Sequence, residues 1–161
     1  MLTLEQRLQR LEDIEAIRRL KARYFHACDR KQLADIRDCF CNGEVLIDYG
    51  QLGVFTHRDE LLVLFEEKAC HDYIIDLHHG QNAQIEWHNE SEASALWDLF
   101  FYQVDTSTNI LTQLGGFYQD AFVKQNGEWR IRQTRFEVTS SYVCQVNEGQ
   151  LQVLFAGGKP Q

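Results

Sequence analysis

The chain has 161 residues, 44% hydrophobic and 25% charged, enough for one domain that buries its own core. A formal charge of −8 with no basic stripe argues against a nucleic-acid partner. No apolar run reaches the ~18 residues a membrane span needs, and the N-terminus lacks the apolar core of a secretory signal, so a cytoplasmic protein without membrane contact is expected.

Leu4, Leu8, Leu11, Ile14, Ile17, Leu20 and Tyr24 recur every three or four residues, predicting an amphipathic helix whose apolar face runs into Tyr24 and Cys28. Asp29-Arg30-Lys31-Gln32 reads as a connection. Leu33, Ile36, Arg37 and Phe40 give a second, short helix, stopped near Asn42-Gly43. Glu44 to Tyr49 has the β-branched and aromatic character of a strand, turned by Gly50-Gln51-Leu52-Gly53. Thr56 and Asp59 form a variant capping box ahead of a third helix through Leu61, Leu64, Phe65 and Lys68, with His57 in its first turn.

From there the pattern is β. Leu77–Trp87, Ala93–Tyr102, Leu114–Lys124 and Trp129–Tyr142 read as long strands, the last two joined by an Asn126-Gly127 hairpin. Gly115-Gly116 marks a bend or bulge. Residues 1–144 therefore make one domain, and the tail 145–161 carries Leu151, Val153, Leu154 and Phe155, an apolar patch expected to pack on the domain or on a neighbouring subunit. Three helices followed by a meander predict an α+β fold, the helices segregated to one face of a curved antiparallel sheet around a cavity.

Five cysteines without paired spacing read as reduced thiols, and Cys39-Phe40-Cys41 is too tight for a zinc knuckle, so no metal site is expected. The chemistry-bearing residues fall elsewhere. Tyr24, His26 and Asp29 crowd the end of the first helix, although taken alone they read better as an ordinary polar helix end. Asp29 lies about 140° around a regular helix from Tyr24. The two therefore meet only if the helix ends near Ala27 or if they line different walls of one cleft. His78 and His79 stand side by side on a strand. Strict alternation puts His79 on the side of Ile85 and Trp87, hence inward, unless a bulge at Gly80 reverses the parity. Tyr49 and Tyr118 lie on strands with apolar neighbours and can simply be packed, hydroxyls at the rim. Arg135 keeps an even spacing from Ile131, as either a buried cation or half of a sheet-edge ion pair.

The run Asp13-Ile14-Glu15-Ala16-Ile17-Arg18-Arg19-Leu20-Lys21-Ala22-Arg23-Tyr24-Phe25, followed by Asp29, resembles the opening of SnoaL-like proteins of the nuclear transport factor 2-like superfamily. The likeness extends through His78–Ile85 and through Gly116-Phe117-Tyr118-Gln119-Asp120 with Gly127-Glu128-Trp129-Arg130-Ile131. Among enzymes the resemblance is to bile acid 7α-dehydratases and, more distantly, to scytalone dehydratase. It implies a cone-shaped sheet and a catalytic set of Tyr24, Asp29 and His78, choosing His78 where parity chose His79. The dehydratases' late arginine has Val138 in its place here, so the same steroid substrate is not implied.

The resulting expectation is a cofactor-independent lyase or isomerase acting beside a carbonyl of a small hydrophobic cyclic substrate, in a pocket lined by Phe40, Tyr49, His79, Trp97, Phe101, Phe117, Tyr118 and Arg135. A homo-oligomer, dimer or trimer, is the family habit. The alternative is a non-catalytic binding or assembly module of the same fold, with the polar residues as a satisfied buried network. Epoxide hydrolysis or ring cyclisation is chemically open to the same acid–base set.

Overall fold

The computed structural model describes residues 2–158, so residues 159–161 of the tail lie outside the described residues. Helix α1 runs from Leu4 to Asp29. Thr3 and Gln6 start it reciprocally: Thr3 Oγ1 accepts from the Gln6 N–H at 3.2 Å, and Gln6 Oε1 accepts from the Thr3 N–H at 2.9 Å. The expected apolar face is buried only in its second half. Leu4, Leu8 and Leu11 are exposed, because the first turns overhang the domain, and burial begins at Asp13 and Ile17.

Asp13 is where the helix is fastened to the sheet. Its Oδ1 accepts from Lys124 Nζ at 2.6 Å and Trp129 Nε1 at 3.0 Å, and its Oδ2 from Trp87 Nε1 at 3.3 Å. One buried carboxylate therefore joins α1 to three strands. Burial alone would raise its pKa, but these donors outweigh burial and hold it below the usual 3.8.

Helix α2 (Leu33–Cys39) and strand β1 (Leu46–Asp48) follow, with β2 (Val54–Phe55) after a 3₁₀ turn at Gly50–Leu52. The strand expected from Glu44 to Tyr49 shortens to three residues, which pair with Gln133, Thr134 and Arg135; Ile47 and Asp48 also pair with β2. Helix α3 spans Arg58–Ala69. Its cap is His57 rather than Thr56: His57 Nδ1 accepts from the Asp59 N–H at 3.3 Å, while Glu60 Oε2 accepts from the His57 N–H at 3.1 Å.

Strands β3 (Ile74–Asn89), β4 (Glu92–Asp105), β5 (Ile110–Gln125), β6 (Glu128–Asn147) and β7 (Gln150–Gly157) complete a sheet ordered β2-β1-β6-β5-β4-β3. Pairing is antiparallel except between β1 and β6, and β7 pairs with the far end of β6. The sheet is open, with β3 at one edge. Asn126 and Gly127, with φ of 53° and 82°, make the β5–β6 turn in the left-handed conformation that Asn-Gly favours.

Two bulges decide what faces inward. On β3, Gln81 pairs with Asp98 but Gln84 with Leu96, so three steps on one strand answer two on the other. This extra residue puts His78, Ile85 and Trp87 on one face. On β6, Thr134 pairs with Asp120 and Gln133 with Ala121, then Ile131 with Phe122. Arg132 is the extra residue, and it puts Ile131, Thr134 and Phe136 inward and Arg135 outward.

Candidate functional site

Asp29 is the last residue of α1, an unfavourable place for a negative charge beside the helix's carbonyl end. It is held there by β3. As an edge strand β3 has unpaired amides, and the His78 N–H reaches both Asp29 oxygens, at 3.1 and 3.2 Å. The His78 ring adds Nδ1 to Oδ1 at 2.6 Å. A carboxylate only accepts, so Nδ1 donates, and in the neutral ring Nε2 keeps its lone pair. Nε2 has no hydrogen-bond partner among the described residues. The imidazole is gripped between Phe25, nearly parallel at 5.7 Å between centroids, and Phe101 at 4.7 Å.

The helix therefore does not stop at Ala27. Tyr24 and Asp29 belong to one site through His78, whose ring is held by Asp29 and lines the same cavity as Tyr24. Gly80 makes this approach possible, since a Cβ there would lie 2.2 Å from Phe25 Cε2.

His78 and Tyr24 line one cavity of about 290 Å³, roofed by α3 through Leu61, Leu64 and Phe65 and walled by Tyr49, Phe101, Leu114, Tyr118 and Phe136. The Tyr24 and Tyr49 hydroxyls are 2.5 Å apart. Burial pushes Tyr24 and Tyr118 well above the ordinary phenol value, and Tyr49 upward too, so all three remain neutral proton donors. Burial also pushes up the Cys28 thiol in the cavity wall, which keeps it from acting as a thiolate nucleophile. Among the described residues no group of three or more His, Cys, Asp or Glu side chains could hold a metal ion.

Of the expected pocket residues, Tyr49, Phe101 and Tyr118 line this cavity. His79 is exposed on the opposite face, for the parity reason given above. Phe117 is 40% exposed, because its neighbour Tyr118 takes the inward position and adjacent strand residues face opposite ways. Arg135 is exposed and sits 3.5 Å from Asp48 in a sheet-edge pair; Phe136 fills the inward place, stacked on Tyr118 at 4.7 Å. Phe40 and Trp97 are buried but outside the cavity, Phe40 packing edge-on against Tyr24 at 5.6 Å.

Two polar groups escaped the sequence reading. Asp76 lies in the cavity wall, ion-paired with Lys31 and accepting from Gln103 Nε2 at 2.8 Å. Its position two residues before His78, on the same strand face, was the available signal. Lys21, fully buried, pairs with Asp120 at 2.8 Å in a contact misaligned for a hydrogen bond, and its Nζ lies 3.6 Å from the Tyr118 ring centroid. Burial lowers its pKa, against the pull of Asp120. The helical period does mark it, since Lys21 falls four residues after Ile17 and three before Tyr24 on the buried stripe, but lysine on a helix usually reads as solvated.

An open curved sheet, three helices on one face and a polar-tipped apolar cavity define the cone-shaped α+β fold of the nuclear transport factor 2-like superfamily. Residues 9–135 match the SnoaL-like domain, and the chain belongs to that family. Its fold is similar to that of a scytalone dehydratase-like protein from Novosphingobium aromaticivorans, at 22% identity over 83% of this chain and 88% of that one, TM-score 0.76. It is also similar to LinA, at 16% identity over 83% and 90%, TM-score 0.76. The hexachlorocyclohexane dehydrochlorinase LinA-type3 from Novosphingobium barchaimii matches at 14% identity over 91% and 93%, TM-score 0.73. No described helix is long and apolar enough to cross a membrane.

Proposed function

We propose that this protein is a cofactor-independent lyase or isomerase acting on a small hydrophobic cyclic molecule, with His78 as base, Asp29 as its positioning partner and Tyr24 as proton donor. The observation that carries the reading is the His78–Asp29 pair: Nδ1 is committed to Asp29 at 2.6 Å, and Nε2 is left free on a ring that borders an apolar cavity. In the step envisaged, Nε2 takes a C–H proton next to a carbonyl. The electron pair of that bond moves toward the carbonyl oxygen, which a phenol stabilises, and Asp29 stabilises the imidazolium. Collapse of the enolate then either expels a group from the β-carbon, giving elimination, or takes a proton at another carbon, giving isomerisation.

The tyrosines suit the donor role because burial keeps them protonated. Two hydroxyls 2.5 Å apart share one proton between them and leave the second for the substrate. The cavity volume, about 290 Å³, lies near the lower end of the ~300–1,000 Å³ typical of ligand pockets, which favours a compact one- or two-ring substrate. That the fold resembles a scytalone dehydratase-like protein and LinA is consistent with elimination chemistry.

Proton abstraction can be followed on model compounds in place of the natural substrate. Cyclic ketones incubated with the protein in deuterated buffer are followed by NMR for loss of the α-C–H signal. Exchange by the wild-type protein that falls ~10²–10⁴-fold in His78→Ala is expected. Exchange that is unaltered by His78→Ala would overturn the mechanism.

A further inference from the structure

A second cleft, of about 440 Å³, opens on the other side of His78, where α1 crosses the bulged edge of β3. Among the described residues no aspartate or glutamate lines it, although the chain carries 24 acidic residues against 16 basic ones. At its rim stand Arg18, His26 and His79, all exposed and none with a side-chain partner among the described residues. Lys21 and Trp97, 0% and 6% exposed, also line it. Lys21 Nζ is taken up by Asp120 at 2.8 Å and by the Tyr118 ring, but the buried Trp97 indole Nε1 has no hydrogen-bond acceptor among the described residues. Such an orphaned donor is rare in folded proteins and calls for an acceptor.

The backbone adds another donor. His78 sends its N–H to Asp29, so His78 and Phe101 form a non-hydrogen-bonded pair, and so, two residues on, do Gly80 and Leu99. The Gly80 N–H therefore points off the sheet edge beside the cleft it lines. Cationic and N–H groups converge here, at the rim and the floor, with no carboxylate among the lining residues to answer them.

We propose that this cleft is an oxyanion site, taking the carboxylate or phosphate group of a ligand. Arg18 and His79 hold the charge at the rim, and the Trp97 indole lies beneath it. The site is separate from the His78–Tyr24 cavity and stands whether or not that cavity is catalytic.

The test follows the indole N–H signals of ¹⁵N-labelled protein, with Trp97→Phe identifying the Trp97 peak. Inorganic phosphate and acetate are titrated separately at constant ionic strength. The Trp97 peak is expected to move saturably with at least one of them, and the stronger binder names the preferred class. Arg18→Gln, a change on an exposed helix face, is expected to weaken binding about tenfold. Absence of saturable movement with both anions overturns the proposal. So does a binding midpoint that neither Arg18→Gln nor His79→Gln alters, the mark of an adventitious ion only.

Discussion

Replacing Asp29 with asparagine changes little but one atom at the centre of the candidate site. In the native arrangement Oδ1 receives the His78 ring N–H at 2.6 Å and its backbone N–H at 3.1 Å, while Oδ2 receives the same backbone N–H at 3.2 Å. An amide nitrogen in the place of Oδ2 opposes the backbone N–H donor to donor. The flipped amide instead offers a donor to Nδ1, which must then accept and move its proton to Nε2. Either way a contact is lost and the others are no longer charge-assisted. Hydrogen bonds to charged groups contribute about 1.5–3 kcal/mol each. The Asp29 side chain is 18% exposed, so water recovers part of this, and a net loss of about 1–2 kcal/mol is expected. For a chain of this length each kcal/mol moves Tm by about 2–4 °C, giving a fall of about 2–8 °C. Function should suffer more than stability. A proton fixed on Nε2 blocks the base, and ketone exchange should drop by ~10²–10⁴-fold. The paired readouts are a thermal melt and the deuterium-exchange assay. Unchanged exchange in Asp29→Asn, with the melt intact, would refute the role given to this carboxylate.

Gly80→Ala places a methyl 2.2 Å from Phe25 Cε2, and that ring cannot retreat because it is packed against both His78 and Tyr118. Overpacking of this kind costs about 1–3 kcal/mol, and chemical denaturation with an unchanged midpoint would contradict the close approach of α1 and β3. Asp13 gives a pH signature. Its native pKa is held below 3.8, so its stabilising contribution is fully present above that value and is lost as the pH falls through the lower native pKa. Urea midpoints at about pH 7 and about pH 3 should show the gap between wild type and Asp13→Asn narrowing on acidification. A gap that stays constant removes the carboxylate from the account of acid stability.

The helical period of α1, the Asn-Gly hairpin and the run of long strands were legible because each rests on local chemistry: side-chain spacing, capping and the conformational freedom of Asn-Gly. The pairing of Tyr24 and Asp29 with a distant histidine came from the resemblance of the opening motif to SnoaL-like proteins, and the structure brings those three side chains together. Reading strand faces by alternation worked only where the ladder is regular. Phe117 could have been set outside by the inward Tyr118 next to it, with no structure in hand.

His79 and Arg135 are different. Each was assigned a face by counting residues across a stretch that contains an extra one, at Gln81–Gln84 on β3 and at Arg132 on β6. Asn82, with φ of 51°, carries a weak local mark, since asparagine tolerates that conformation. Arg132 has no such mark. A bulge is fixed by which residues a partner strand and a crossing helix will accept, and those neighbours lie far away in sequence. The sequence by itself determined which side chains were available for acid–base chemistry and which elements carry them. The tertiary structure decided which of two adjacent histidines meets Asp29, because a single inserted residue exchanges every side chain beyond it between cavity and solvent.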